Sequence, residues 1–252
     1  MSKRSLAFLA ALALCLAVSG PAFATGISVQ VGEATPFDFE YAMYADEETD
    51  SGISSWFALD GEGNPIIAGL PSWGGEEQGV TITGLSGFLK EDPFVTSVVG
   101  LINPTSSTQT YTIIVSLPIT SFFYNATIAS SVGVTVTDSA SGLVTASSVS
   151  PDGIYAGTVN GGTVLTLLPH PTSVTCSTSE GCTDTVADNS GLPLLPAGPG
   201  FATSIGITLK FTLSAFDQIG ITSRFEIVPE PTTAVLLGVG LVALGIARRR
   251  AA

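Results

Sequence analysis

The sequence predicts an all-β protein built as an antiparallel β-sandwich of jelly-roll or immunoglobulin-like type. The interior of the chain is rich in Gly, Ser, Thr, Val and Ile, a composition that suits pleated surfaces. Short segments alternate apolar with polar residues, and clusters containing Gly and Pro separate them. The segment 25–228 is long enough for one substantial core, so a single domain is predicted there.

The first 24 residues have the three parts of a secretory signal. Lys3 and Arg4 form its positive start, residues 6–18 form its apolar centre, and Ala22 and Ala24 flank a small-x-small cleavage site. We expect cleavage after Ala24. The protein is therefore predicted to leave the cytoplasm through the Sec export machinery.

Ten to twelve strands are predicted in the mature domain. Residues 94–102 and 108–117 form the most regular pair, and the Asn-Pro-containing segment 103–107 between them resembles a hairpin loop. The Pro-, Ser-, Thr- and Gly-rich segment 169–199 is expected to be a linker. The remaining strands are predicted at 27–31, 37–43, 53–59, 80–89, 124–137, 154–159, 163–168, 205–214 and 220–227. With so many short strands, two packed antiparallel sheets are the natural closure.

The C-terminal segment has an order of its own. Pro229, Glu230 and Pro231 precede an uncharged run at 232–247, and Arg248, Arg249 and Arg250 follow it. As a helix, the run would extend roughly 24 Å, which spans a membrane if the flanking arginines snorkel. The positive-inside rule places the arginines in the cytoplasm and the domain outside it.

This segment, residues 229–252, resembles the PEP-CTERM sorting signal of exported bacterial proteins. The resemblance implies that a membrane-embedded exosortase recognises Pro229, Glu230 and Pro231 and cuts near them. It also implies an association with exopolysaccharide. The internal stretches NPTSSTQTYTIIVSLPI and KFTLSAFDQIGITSRFEIVPEP resemble β segments of the same proteins. The alternative is an ordinary C-terminal membrane anchor behind a proline-containing linker.

The charge of the domain restricts its partners. Three basic residues against twenty acidic ones in 25–228 give a formal charge of −17, which argues against nucleic-acid binding. Hard oxygen ligands for calcium are available in the acidic loop 46–50 and at Asp60, Glu62 and Asn64. Pro65 stands where a calcium-loop glycine belongs, so solvated acidic loops are the favoured interpretation, and no metal site or cofactor is predicted.

The cysteines and the single histidine are interpreted as structural residues. In an oxidising compartment Cys176 and Cys182 are expected to form a disulfide around a small loop. A metal site shared by these thiols and His170 is the weaker alternative. His170 lies between two prolines and no nucleophile elbow accompanies it, so a catalytic histidine is not favoured.

Two further groups of residues leave alternatives open. The acidic pairs at 47–48, 76–77 and 91–92 are compatible with glycoside hydrolysis, although adjacent acids in loops are usually only solvated. Trp56, within an apolar run, is predicted to lie in the core. Trp73 is the better candidate for an exposed ring that stacks on a sugar.

The sequence therefore favours a non-enzymatic exported protein, structural or adhesive within an exopolysaccharide or biofilm matrix. A carbohydrate- or calcium-binding adhesive module is the alternative, and a secreted hydrolase is the third.

Overall fold

The computed structural model describes residues 26–45, 53–66, 73–90, 94–123, 126–138, 143–176, 183–193 and 200–229. These residues form sixteen β-strands and one short 3₁₀ turn at Glu76–Gln78. In chain order the strands are β1 Gly26–Val31, β2 Phe37–Phe39, β3 Tyr41–Ala45, β4 Ile53–Ala58, β5 Trp73–Gly75, β6 Val80–Lys90, β7 Phe94–Ile102, β8 Gln109–Phe123, β9 Ala126–Thr137, β10 Val144–Ser148, β11 Tyr155–Val159, β12 Gly162–Leu167, β13 Ser173–Cys176, β14 Thr183–Pro193, β15 Gly200–Leu213 and β16 Gln218–Pro229.

The strands form two sheets of eight, and every pairing in them is antiparallel. Sheet I has the order β12-β11-β15-β8-β1-β2, with β10 joining β15 to β13. Sheet II has the order β14-β9-β16-β7-β6-β4-β3, with β5 beside β6. The prediction of an all-β sandwich is confirmed at this level, and its jelly-roll or immunoglobulin-like type stays a prediction.

The core lies between the two sheets because alternate residues of each strand turn inward. In β7, Val95, Val99 and Leu101 are buried, whereas Val98 on the opposite face is exposed. Buried apolar side chains from both sheets form one continuous cluster. Trp56 is completely buried in it and donates its indole N–H to the Thr96 carbonyl at 3.2 Å, so its predicted core position is confirmed.

The interior also contains a small polar network on the sheet II side. Ser97 Oγ and Ser223 Oγ lie 2.6 Å apart. Tyr155, from sheet I, crosses the interior: its hydroxyl donates to the Arg224 carbonyl at 2.9 Å and lies 2.6 Å from Ser130 Oγ. No described side-chain polar atom that is buried lacks a hydrogen-bond partner, so the network is satisfied.

The hairpin predicted between residues 94–102 and 108–117 is wrong. β7 belongs to sheet II and β8 to sheet I, so the segment between them crosses from one sheet to the other. Asn103 holds this crossing. Its buried amide donates to the carbonyls of Ser107, Leu213 and Ser214, and its Oδ1 accepts from Thr105 N at 3.0 Å.

Two other element predictions are corrected. The single strand expected over 37–43 is divided at Glu40 into β2 of sheet I and β3 of sheet II. The expected linker 169–199 contains β13, which pairs with β10, and β14, which pairs with β9. Ser and Thr side chains suit solvated strands as well as loops, so composition alone misidentified this segment.

Among the described residues no helix has the length and apolar character needed to cross a membrane. The predicted membrane helix at 232–247 lies outside those residues, as do the predicted signal segment 1–24 and its cleavage residue Ala24.

Candidate functional site

The junction between the domain and its C-terminal segment is formed by β16. This strand lies inside sheet II, where residues 218–226 pair with β7 on one side and β9 on the other. Residues 227–229 pair with β9 alone, and Thr127 Oγ1 donates to the Val228 carbonyl at 3.5 Å. Pro229 is the last residue of the strand. The Pro-Glu-Pro sequence therefore begins within the sheet, with no linker before it.

The other residues assigned to sorting are not described by the structure. Glu230, Pro231, Arg248, Arg249 and Arg250 lie outside the described residues. Their assigned roles in recognition and membrane orientation stay predictions.

The outer face of sheet II contains an open trough with a volume of about 500 Å³. Four neighbouring strands, β6, β7, β16 and β9, form it. Its volume is in the range of small-molecule sites. The lining residues are Phe88, Thr96, Ser97, Val98, Ser131, Val132, Gly133, Thr222, Ser223 and Arg224.

Cross-strand register brings the outward-facing lining residues together. Thr222 lies opposite Val98 of β7 and Gly133 of β9. Arg224 lies opposite Thr96 and Ser131 in the same way. Hydroxyl groups of Thr and Ser, the methyl groups of Val98 and the guanidinium of Arg224 therefore lie side by side on neighbouring strands.

The charged side chain of the trough has partners within the protein. Arg224 Nη2 donates to Glu226 Oε2 at 2.5 Å, and its guanidinium lies 5.2 Å from the centre of the Phe94 ring. The carboxylate balances its charge, and the face of the ring attracts it as well. The trough therefore has little net charge of its own.

Sequence reasoning did not identify the trough. Two signals were present: Gly133 interrupts a strand pattern, and Gly87 precedes the outward Phe88. Glycine within a strand indicates a close approach or missing side-chain volume. A Cβ atom at Gly133 would lie 3.2 Å from Thr222 Oγ1, so the glycine keeps this part of the trough open.

The predicted acidic turn has a structural role for one carboxylate. Asp60 Oδ1 accepts from the backbone N–H groups of Asn64 at 2.8 Å and Glu62 at 2.9 Å. These hydrogen bonds, first of all that from Asn64 N–H, lower the pKa of Asp60. No group of three or more His, Cys, Asp or Glu side chains within the described part of the chain is arranged to hold a metal. The acidic loop 46–50 lies outside that part, and calcium binding there stays a prediction.

His170 takes part in a polar contact that is structural. It is exposed, and its Nδ1 lies 3.2 Å from Ser148 Oγ, which also accepts the Thr172 N–H at 2.9 Å. Ser148 is buried and held by the backbone. A hydroxyl held in this way is a poor nucleophile, and the contact ties β10 to the loop before β13.

Trp73, the better of the two candidates for an exposed sugar-stacking ring, is only partly exposed. Its ring lies edge-on to Phe37 at 5.1 Å and to Phe39 at 4.8 Å. The three rings join β5 of sheet II to β2 of sheet I and pack against the core. Glu76 and Glu77 are exposed on the following 3₁₀ turn, and the acidic residues at 47–48 and 91–92 lie outside the described residues.

Cys176 is buried at the end of β13, where it pairs in register with Val144. Cys182 lies outside the described residues, so the Cys176–Cys182 disulfide stays a prediction.

Comparison with known proteins identifies the C-terminal segment. Residues 228–251 match the model of the PEP-CTERM protein-sorting motif, so the chain carries this motif at the position where the structure places the end of β16. The motif implies an exported protein that an exosortase processes. None of the curated proteins compared with the chain matches it.

Similarities to solved structures are weak. TmCBM61 in complex with β-1,4-galactotriose is 13% identical, with 65% of this chain and 91% of that chain covered and a TM-score of 0.26. A carbohydrate-binding module of the β-sandwich superfamily is 9% identical, with 78% and 82% covered and a TM-score of 0.20. An infectious bursal disease virus structure is 14% identical, with 83% and 65% covered and a TM-score of 0.14.

Proposed function

We propose that this protein is a non-enzymatic component of the cell surface or extracellular matrix, which an exosortase releases from a transient membrane anchor. In this proposal the sandwich is a structural or adhesive unit within an exopolysaccharide or biofilm matrix. The single observation that carries it is the sorting motif at residues 228–251, joined without a linker to a folded β-domain.

The junction between β16 and the sorting motif determines where the domain lies relative to the membrane before and after cleavage. Because β16 runs directly into the motif, the domain stands close to the membrane while the C-terminal segment is inserted. A cut on the C-terminal side of Pro229 keeps every described pairing of β16 with β9. Processing therefore releases a folded unit.

The position of the cut follows from the pairing of β16. A protease binds its substrate as an accessible extended backbone, and residues 227–229 are held by the ladder to β9. Cutting before Pro229 would require this end of the strand to detach. We expect the exosortase to cut on the C-terminal side of Pro229.

The experiment is the intact mass of the mature protein recovered from cells and medium. The expected product begins at Thr25 and ends at Pro229 or beyond. Replacing Pro229, Glu230 and Pro231 together with alanine should abolish it and leave the full C-terminus in the membrane fraction. The control is Glu226→Gln, a change within β16 but outside the Pro-Glu-Pro sequence, which should leave the product mass otherwise unaltered.

Three results would contradict parts of this proposal. A wild-type protein that keeps residue 252 in the membrane would show a plain anchor. A product that persists after replacement of the three residues would remove their recognition role. A product ending before Pro229 would show that β16 detaches before cleavage.

A further inference from the structure

The trough on sheet II combines exposed apolar side chains with hydroxyl groups. Phe88 is 49% exposed and Val98 is 45% exposed, and both are among the few large apolar side chains that the described residues leave in water. Hydroxyl groups of Thr96, Ser131 and Thr222 border them. Apolar surface with a few placed polar groups is typical of ligand sites.

The sheet orients one of these hydroxyls and sets the spacing of the others. Thr96 Oγ1 accepts the Phe88 N–H at 2.8 Å, so its remaining O–H is directed by a bond to the sheet. Ser131 and Thr222 stand on β9 and β16, where the register sets their spacing. Such preorganised groups lose little conformational freedom when they bind.

The shape of the trough suits a chain molecule. It crosses four strands, which corresponds to about 14 Å at the usual strand spacing, and it is open to solvent along its length. A pyranose ring has an apolar face of C–H groups and an edge of hydroxyls. Phe88 and Val98 match the face, and the Thr and Ser hydroxyls match the edge.

Charge determines which kind of glycan fits. The formal charge of −17 on residues 25–228 repels anionic polymers, and the guanidinium of Arg224 is already balanced by Glu226. A neutral polysaccharide is not repelled by the negative charge of the domain, and it meets no unpaired charge at Arg224.

We propose that the trough binds an internal segment of a neutral polysaccharide, with Phe88 beneath a sugar ring and Thr96, Ser131 and Thr222 bonded to its hydroxyls. This deepens the proposed matrix role and rests on it for the presence of the polymer outside the cell. The Arg224 guanidinium supplies a further donor at one side of the trough.

Two glycines provide a matched test. Gly133 lines the trough, whereas Gly220 on the adjacent strand faces outward beyond it, with no atom within 4 Å of a Cβ placed there. Gly133→Val fills the trough with a side chain that strands favour, and Gly220→Val adds the same side chain elsewhere on the sheet. Phe88→Ala removes the proposed stacking surface without filling space.

Binding is measured with the full chain in detergent, on beads coated with β-glucan, mannan or xylan, and with alginate as the anionic comparison. The wild type should bind at least one of the neutral polymers and not alginate. Gly133→Val and Phe88→Ala should each weaken that binding about tenfold or more, as expected for central contacts of an interface. Gly220→Val should change it by less than about twofold.

Thermal unfolding of each variant separates lost binding from lost folding. The inference is overturned if the wild type binds none of the neutral polymers, if it prefers alginate, or if both valine variants bind equally well. Because the unprocessed chain is used, these results do not depend on exosortase cleavage. A failure of processing and a failure of glycan binding are therefore told apart.

Discussion

The two sheets of the sandwich share one core but differ on both of their faces. At the centre of sheet I the inward residues are large and apolar, among them Ile113, Val115 and Phe211, whereas sheet II places Ser97, Ser130 and Ser223 in the same interior. Outside, sheet II carries the trough, while the exposed apolar residue Ile114 of sheet I is flanked in register by Ser28 and Thr208.

This difference indicates that sheet I mainly packs the core, whereas the outer face of sheet II is suited to contact with a ligand. The middle of sheet II has small side chains on both faces, Ser97, Ser130 and Ser223 inside and Gly133 outside. On the inner face, hydrogen bonds from Tyr155 stabilise the region where the side chains are small. On the outer face, the small side chains leave the space of the trough. The following predictions test this division, beginning with the largest effect.

Removal of the main apolar anchor of sheet II should have the largest effect. Trp56→Ala deletes a fully buried ring and the hydrogen bond to the Thr96 carbonyl, at an expected cost of about 3–5 kcal/mol in the free energy of unfolding. Urea denaturation measures it. Phe88→Ala, on the outer face of the same sheet, should cost under about 0.5 kcal/mol. Equal losses would mean that the two faces do not differ in their contribution to stability.

The polar part of the interior should contribute less than Trp56 but still measurably. Tyr155→Phe removes the hydroxyl that bonds the Arg224 carbonyl and Ser130, at an expected cost of about 1–2 kcal/mol. Tyr111→Phe is the control in sheet I. Among the described residues its hydroxyl bonds one partner, the Gly79 carbonyl, so about 0.5–1 kcal/mol is expected.

Alkaline pH gives a second measurement on the same two variants. Burial raises the pKa of the Tyr155 phenol above its usual value near 10, against a smaller lowering by its hydrogen bond with Ser130. Burial raises the pKa of Tyr111 as well. Because the folded state holds the neutral phenols, their contribution to stability should be constant below about pH 10 and fall as the pH rises further. Each Phe variant should show a shallower fall, and unchanged slopes would mean that neither phenol is protected by folding.

The sequence predicted which residues face inward more reliably than which strands pair. Alternation identified β7 and the start of β8 because burial of one face imposes a period of two. The same alternation appears whether two successive strands form a hairpin or enter different sheets. Asn103 determines the outcome through hydrogen bonds to Leu213 and Ser214, residues more than a hundred positions away, and no local pattern contains that information.

The candidate sites divide in the same way. The sorting motif was readable because its parts are contiguous in the chain, and the match at 228–251 confirms it. The trough could not be predicted from the sequence. Its residues Phe88, Ser131 and Thr222 come from three distant segments, which come together only when the strands pair in register. The environment of Trp73 could not be read from the sequence for the related reason that Phe37 and Phe39 contact it from the other sheet.

The smallest expected effect concerns Arg224, which belongs to both faces of sheet II. Its carbonyl accepts hydrogen bonds from the interior, while its half-exposed guanidinium pairs with Glu226 beside the trough. Arg224→Gln keeps the carbonyl and removes only exposed contacts, the ion pair with Glu226 and the contact with the Phe94 ring, so the free energy of unfolding should fall by under about 0.5 kcal/mol at low salt and by less at high salt. Lys210→Gln, which breaks the exposed pair with Asp152 on sheet I, is the control and should behave alike. Urea denaturation at low and high salt measures both variants. A loss as large as that of Tyr155→Phe would show that the guanidinium also supports the interior, and the separation of the two faces at this residue would fail.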